Sequence, residues 1–383
     1  MSRPTNALID LAAIRHNYRT AKALSAGAQV VAVVKANGYG HGAIPVARAL
    51  DAEADSFAVA CTEEAMELRE VGIRRPILLL EGVFDPAELV IADHAKLTPV
   101  IHSLRQLDWL LQARPARAFD VWLKMDSGMH RIGLAPEDFA AAYAKLERCQ
   151  HVRQIVLMSH LARADELDSD ATEHQLACFR RYTNAIDAPR SLANSAAVLA
   201  WPATHYEWVR PGIMLYGATP LNAPHPHSGR LQTTMRLEST LISIRELAAG
   251  EAIGYGARYV CKKPTRVGVV AIGYADGYPR HARDGTPVVV KDRPSSIIGR
   301  VSMDMLTIDL SAIPDASIGD PVQLWGDQVS ANDVASASNT IAYQLFTGIS
   351  RRVPLCYADC ATISTSGICS VRDKQQDLGR PRY

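Results

Sequence analysis

Several things are missing from this sequence. Its 383 residues contain no apolar run near the roughly 20 residues that a membrane-spanning helix needs, so no membrane association is expected. The opening Met1-Ser2-Arg3-Pro4-Thr5-Asn6 lacks the apolar core of a secretory signal. Net charge is almost absent. Lys+Arg total 41 against 40 Asp+Glu, a balance of +1 that argues against a surface for nucleic acid. The seven cysteines (Cys61, Cys149, Cys178, Cys261, Cys356, Cys360 and Cys369) are scattered, odd in number and without a Cys-x-x-Cys pair. That pattern suits a reduced cytoplasmic chain rather than a disulfide framework or a zinc site. His225 and His227 lie among prolines with no third ligand near, so they read as loop and no metal is expected. A Gly-x-Gly-x-x-Gly turn after a strand is also lacking, which leaves an open dinucleotide-type sheet as the weaker architecture.

What is present is alternation. Short apolar runs occur at Val30–Val34, Ser56–Ala60, Ile77–Leu80, Leu97–Ile101, Phe119–Met125, Ile155–Met158, Ser191–Leu192 and Tyr206–Arg210. Amphipathic stretches separate them, and Asp10 can cap a first helix carrying Leu11, Ile14, Tyr18 and Ala21. Strict β/α alternation asks for a parallel sheet, and eight units in about 210 residues suit a closed barrel. After Gly217 the texture changes. Pro220–His227 reads as a linker, followed by strand patterns at Leu237–Ile244, Val267–Ile272, Pro287–Val290, Ile297–Val301 and Met305–Ile308. One short helix is expected at Asn332–Ser338, with Asn332 as its cap. The expected fold class is therefore α/β: an N-terminal (β/α)8 TIM-type barrel over 1–229, then a mainly β domain over 230–383. The polar tail from Ser364 is expected to be mobile.

In such barrels the working groups project from the C-terminal ends of the strands. The first strand runs into Lys35, the fifth into Lys124, the sixth into His160 and the eighth into Arg210. Each has an ordinary alternative: a snorkelling strand end for Lys35, an ion pair with Asp126 for Lys124, a satisfied core imidazole for His160, a surface ion pair for Arg210. Their convergence on one rim makes the ordinary readings jointly weaker. A partly buried lysine is a good imine-forming nucleophile. Asn194-Ser195-Ala196 and Gly212-Ile213 come after the last two strands, where barrels often hold phosphate. An imine-forming lysine beside a phosphate cradle suggests pyridoxal 5′-phosphate (PLP).

These residues also carry a resemblance. Val33-Val34-Lys35-Ala36-Asn37-Gly38-Tyr39-Gly40-His41-Gly42 resembles the PLP-attachment motif of alanine racemases. The likeness continues through Lys124–Gly133, His160–Glu166, Asn194–Ala197, Arg210–Tyr216, Ile253–Ala257, Ala271–Tyr278, Gly299–Asp304 and Ile341–Pro354. It implies a PLP barrel with a β domain, acting on alanine as a homodimer whose partners complete each other's sites. It implies Lys35 and Tyr255 as the two catalytic acid/base groups. It gives Arg210 to the pyridine nitrogen, with His160 orienting it, and Tyr39, Ser195, Gly212, Ile213 and Tyr343 to the phosphate. Arg131 would contact the cofactor ring and the substrate carboxylate, with Met303 and Asp304 near the substrate. Lys124 matches a lysine that some members carry as a carbamate. Asp165, Tyr274, Arg280, Arg300 and Ile341 match the entry path. D-alanine for peptidoglycan and alanine catabolism are both roles of this isomerase family. A racemase of broader or basic specificity and a PLP-dependent decarboxylase are the competing readings, and Arg210-Pro211-Gly212 argues against the latter.

Overall fold

The computed structural model describes residues 3–25 and 27–359. The chain begins with strand β1 (Asn6–Asp10) and then builds a barrel from β2 (Gln29–Val33), β3 (Ser56–Val59), β4 (Ile77–Leu79), β5 (Leu97–Ile101), β6 (Phe119–Lys124), β7 (Val152–Met158), β8 (Arg190–Ser191) and β9 (Trp208–Val209). All neighbours are parallel, and Val30 opposite Val209 closes the circuit. The barrel expected from the alternation is thus borne out. Its strands read as unbroken apolar runs because both faces are covered, by the packed interior and by the helices. The last two strands have two residues each: β9 is shorter than the expected Tyr206–Arg210, and β8 is shifted by one from the expected Ser191–Leu192. They meet only through Ser191 opposite Trp208, because the residues beyond them turn away to carry site groups.

Asp10 caps helix Leu11–Leu24 as expected, its carboxylate accepting from the Ala13 N–H at 2.9 Å. β1 was not foreseen. It inserts between β10 (Met235–Leu247), antiparallel to it, and β18 (Leu355–Ala358), parallel to it. The first strand of the chain therefore lies in the C-terminal sheet. That sheet also holds β13 (Thr265–Val270), β14 (Pro287–Val290), β15 (Arg293–Ser296), β16 (Leu306–Asp309) and β17 (Pro321–Trp325), with β10 as its long spine. A small ribbon of β11 (Ala252–Ile253) and β12 (Tyr259–Val260) frames the turn that bears Tyr255.

Two expectations are corrected. Ile297–Val301 forms no strand, only an isolated bridge from Ile297 to Ile308. The short late helix spans Ala331–Ala337 and is capped by Ser330 rather than Asn332. A further helix, Ala342–Thr347, comes after it and had no sequence reading. It docks on the barrel mouth: the His41 ring meets Phe346 edge-on at 5.0 Å, and Tyr39 lies 5.9 Å from Tyr343. One apolar core runs through both parts of the molecule. The expectation for the tail from Ser364 lies outside the described residues.

Candidate active site

A cavity of about 830 Å³ opens at the C-terminal ends of the barrel strands. Lys35, Tyr39, Lys124, Arg131, His160, Ser195, Arg210, Gly212, Ile213 and Tyr343 all line it. Ten of the residues singled out in the sequence, spread over more than 300 positions, thus share one cavity. β2 delivers Lys35, and the chain then folds into a tight left-handed turn: Ala36, Asn37 and Tyr39 have φ of 52°, 53° and 51°. Glu64 Oε1 accepts from the Ala36 N–H at 2.7 Å, and Asn37 Oδ1 accepts from the Ala43 N–H at 2.9 Å, fixing both ends of the turn. The turn swings Tyr39 inward, stacked on Tyr216 at 4.8 Å. Burial pushes the Tyr39 hydroxyl up to about 12, so it is a neutral donor.

Opposite the lysine, Ser195 Oγ accepts from two backbone N–H groups, Gly212 at 2.8 Å and Met214 at 3.3 Å. With both lone pairs engaged, its proton is left to donate. A Cβ on Gly212 would stand 2.4 Å from Tyr39 Oη, so only glycine lets these two walls approach. Hydroxyl donors and backbone gathered this closely suit a phosphate group.

Arg210 is 4% exposed, and both its terminal nitrogens bond neutral acceptors. Nη1 donates to Ser191 Oγ; Nη2 donates to Ser159 O at 2.6 Å, to Leu192 O at 3.3 Å and to His160 Nδ1 at 3.4 Å. Its Nε makes no hydrogen bond among the described residues, leaving that N–H for a ligand acceptor. Burial lowers the guanidinium to about 9, so it stays protonated at neutral pH. His160 is driven well below its usual range by burial and by Arg210, Lys124, Arg131 and Lys35, and is neutral. Since Arg210 can only donate, His160 Nδ1 accepts and its proton sits on Nε2.

Lys124 does not pair with Asp126. Asp126 Oδ1 instead accepts from the N–H groups of Gly128, Met129 and His130, each at 3.0 Å. Lys124 is 6% exposed, and burial reinforced by Arg210, Arg131 and Lys35 lowers it to about 7.

The other singled-out residues lie elsewhere. Asp165 and Ile341 line an adjoining cavity that shares Tyr343 with the first. Tyr255, Tyr274, Arg280, Arg300, Met303 and Asp304 do not line the barrel cavity at all. They sit on the β domain, where Tyr255 is 70% and Met303 52% exposed, an unusual display of large apolar side chains.

Sequence reasoning missed part of the lining: Glu81, Phe84, His102, Arg105, Gln106 and Trp109. Gln106 braces it, donating to Glu81 O at 3.1 Å and Val83 O at 3.0 Å while accepting from the His102 N–H at 3.0 Å. The rim rule, applied to the ends of β4 and β5 as it was to β2 and β6, points to these residues.

Comparison with known proteins decides the family. The model of the alanine racemase N-terminal domain matches residues 9–220, and that of the C-terminal domain matches 234–357. The chain belongs to the alanine racemase family. Its members are isomerases that depend on PLP. An alanine racemase of Pseudomonas entomophila is 55% identical over 358 residues, covering 94% of this chain and 99% of that protein. A catabolic alanine racemase of Pseudomonas aeruginosa is 53% identical over 356 residues, covering 93% and 99%. Among solved structures, the biosynthetic alanine racemase of Pseudomonas aeruginosa superposes with a TM-score of 0.91 at 49% identity, over 93% of this chain and 99% of that one.

The residues present fit PLP. The cavity offers a lysine for the carbonyl carbon, the Ser195–Gly212–Tyr39 cradle for the phosphate, and the spare Nε–H of Arg210 for the ring nitrogen.

Proposed function

We propose that the protein interconverts L- and D-alanine in the cytoplasm as a homodimer, with Lys35 of one copy and Tyr255 of the other as the two acid/base groups. The observation that carries this reading is the separation of the parts. Lys35, Arg210 and the phosphate cradle share one cavity, whereas Tyr255 stands exposed on the other domain. A second copy resolves the mismatch: its β domain can cover the barrel mouth and bring Tyr255, Met303 and Asp304 to it.

When bound, PLP makes the α-proton removable by delocalising the electron pair left on carbon. The residues do the rest. Racemisation needs a proton taken from one face of the α-carbon and one returned to the other, so two groups on opposite sides suffice. Lys35 serves the cavity side and Tyr255 the partner side. Arg210 would donate to the ring nitrogen without yielding its proton, because even lowered to about 9 by burial the guanidinium remains a much stronger base than a pyridine nitrogen. His160, neutral and accepting, fixes the plane of that guanidinium. Tyr39, Ser195, Gly212, Ile213 and Tyr343 hold the phosphate, and Arg131 holds the substrate carboxylate. Asp165, Tyr274, Arg280, Arg300 and Ile341 border the entry path. Lys124, lowered to about 7 and so partly deprotonated at neutral pH, adds carbon dioxide through its neutral amine and releases a proton to become a carbamate. Its new negative charge then anchors Arg131, where an ammonium would repel it. Relatives named catabolic and biosynthetic match this chain to similar extents, so the reading covers D-alanine supply and alanine breakdown alike.

The test is incubation of the PLP-loaded enzyme with L-alanine in deuterated water. Optical rotation should fall to zero as the α-proton signal disappears from the NMR spectrum. Unchanged alanine would overturn the substrate. Carbon dioxide release from ornithine or lysine would favour a decarboxylase instead.

A further inference from the structure

The β-domain face that carries Tyr274, Met303 and Asp304 is assembled from short turns and loops between strands. What ties them together is a buried carboxylate. The Asp276 side chain is 1% exposed. Arg3 grips it with two nitrogens, Nη1 to Oδ1 at 2.9 Å and Nη2 to Oδ2 at 2.7 Å. Arg3 Nη2 also donates to Ala271 O at 3.1 Å and to Asp304 O at 2.9 Å. Asp276 Oδ2 accepts from the Gly273 N–H at 2.9 Å. From the far end of the chain, Arg352 Nε lies 3.4 Å from Asp276 Oδ1, while its Nη2 donates to Asp304 Oδ1 at 2.7 Å.

These contacts hold two loops against each other. Tyr274 N–H donates to Ser302 O at 3.0 Å and Ala275 N–H to Met303 O at 2.9 Å. The approach is close enough that a Cβ on Gly273 would stand 2.4 Å from both Ser302 O and Met303 O. The Arg3 side chain reaches the carboxylate in the first loop and a carbonyl in the second. We infer that Arg3, seconded by Arg352, is a positioning residue for catalysis: by clamping Asp276 and Asp304 it fixes the face that completes the active site of a second copy. The inference rests on the shared-site dimer proposed above. Arg3 does not line the barrel cavity, so its loss should leave the cofactor in place.

The variants Arg3→Ala and Arg3→Lys of the PLP-loaded dimer test it. Four quantities are read: bound PLP by absorbance, dimer mass by light scattering, kcat and KM in both directions, and the α-deuterium isotope effect in each direction. Both variants should keep PLP and the dimer, yet lose kcat by roughly tenfold or more, since a misplacement of about 1 Å can cost 10²-fold. The isotope effect should rise for the enantiomer whose α-proton Tyr255 removes and stay unchanged for the one whose α-proton Lys35 removes. Arg3→Lys keeps the charge and most of the packing, so it stands in if Arg3→Ala does not fold. Wild-type kcat in a folded variant would overturn the inference. So would activity lost only together with PLP or the dimer, which would mark Arg3 as structural. A wild-type enzyme that is monomeric or inert towards alanine would instead sink the underlying reading, whatever the variants do.

Discussion

Lys124 is a cation packed among cations, and its chemistry comes from that setting. Burial, then Arg210, Arg131 and Lys35, all disfavour its proton, and Asp126, turned to the Gly128, Met129 and His130 N–H groups, offsets them only in small part. Only the neutral amine attacks carbon dioxide, and with a pKa of about 7 that form grows as pH rises through neutrality. At fixed dissolved carbon dioxide, carbamate occupancy should be low at pH 6 and high at pH 8. ¹³C NMR with labelled bicarbonate measures it, with Lys124→Met as the blank; a signal that does not change with pH, or that survives in the blank, would refute the assignment. Gly212 makes a second argument at this scale. Its missing Cβ is what lets Tyr39 Oη approach the phosphate cradle. Gly212→Ala must displace one wall, and overpacking of this kind costs about 1–3 kcal/mol. The expected result is a weakened affinity for PLP, by about tenfold or more, read by titration of the apoenzyme. Unchanged affinity would mean that the close approach has no part in holding the phosphate.

At the scale of elements, the turn after β2 is the part that bends a regular pattern into a site. A strand running straight on from Val33 would carry Tyr39 away from the cavity. Instead the left-handed residues reverse the chain within five positions. Asparagine tolerates that conformation better than other L-residues, and Asn37 adds a side-chain acceptor for Ala43 N–H. Asn37→Ala loses both, for an expected cost of about 1–2 kcal/mol. Urea denaturation should show a lower midpoint with an unchanged slope, and a midpoint equal to wild type would show that the turn is held by other means. The lysine motif was legible because its residues are contiguous. The strand Asn6–Asp10 was not, although its alternating burial is regular, because its partners lie at Met235–Leu247 and Leu355–Ala358. Five residues with a period of two specify a strand weakly, and nothing local names the sheet they join.

Across the whole molecule, the exposed Tyr255 and Met303 argue for a site divided between copies. Two inactive variants can then rescue each other. In a mixed dimer of Lys35→Ala and Tyr255→Phe, one site holds both lesions and the other holds neither. Random reassociation of equal amounts should restore about a quarter of the wild-type activity, as a two-fold dimer with shared sites requires. No recovery, with exchange of subunits verified, would place Tyr255 on the cavity of its own chain. The near-zero net charge takes on meaning here as well. It conceals a cavity wall that gathers Lys35, Lys124, Arg131 and Arg210, a field suited to a phosphate and a carboxylate.

By itself the sequence determined the barrel, because eight apolar runs separated by amphipathic helices leave a parallel sheet only one economical closure. It determined the cationic rim too, since parallel barrel strands all deliver their next residues to the same end. The tertiary structure decided the rest. It put the first strand into the last sheet, freed Arg210 Nε, engaged Asp126 elsewhere, and set Arg3 on Asp276 across 273 positions of chain. Those outcomes depend on which distant groups remain unpaired once the backbone has folded, and that is settled by packing and hydrogen bonding between residues that no local pattern connects.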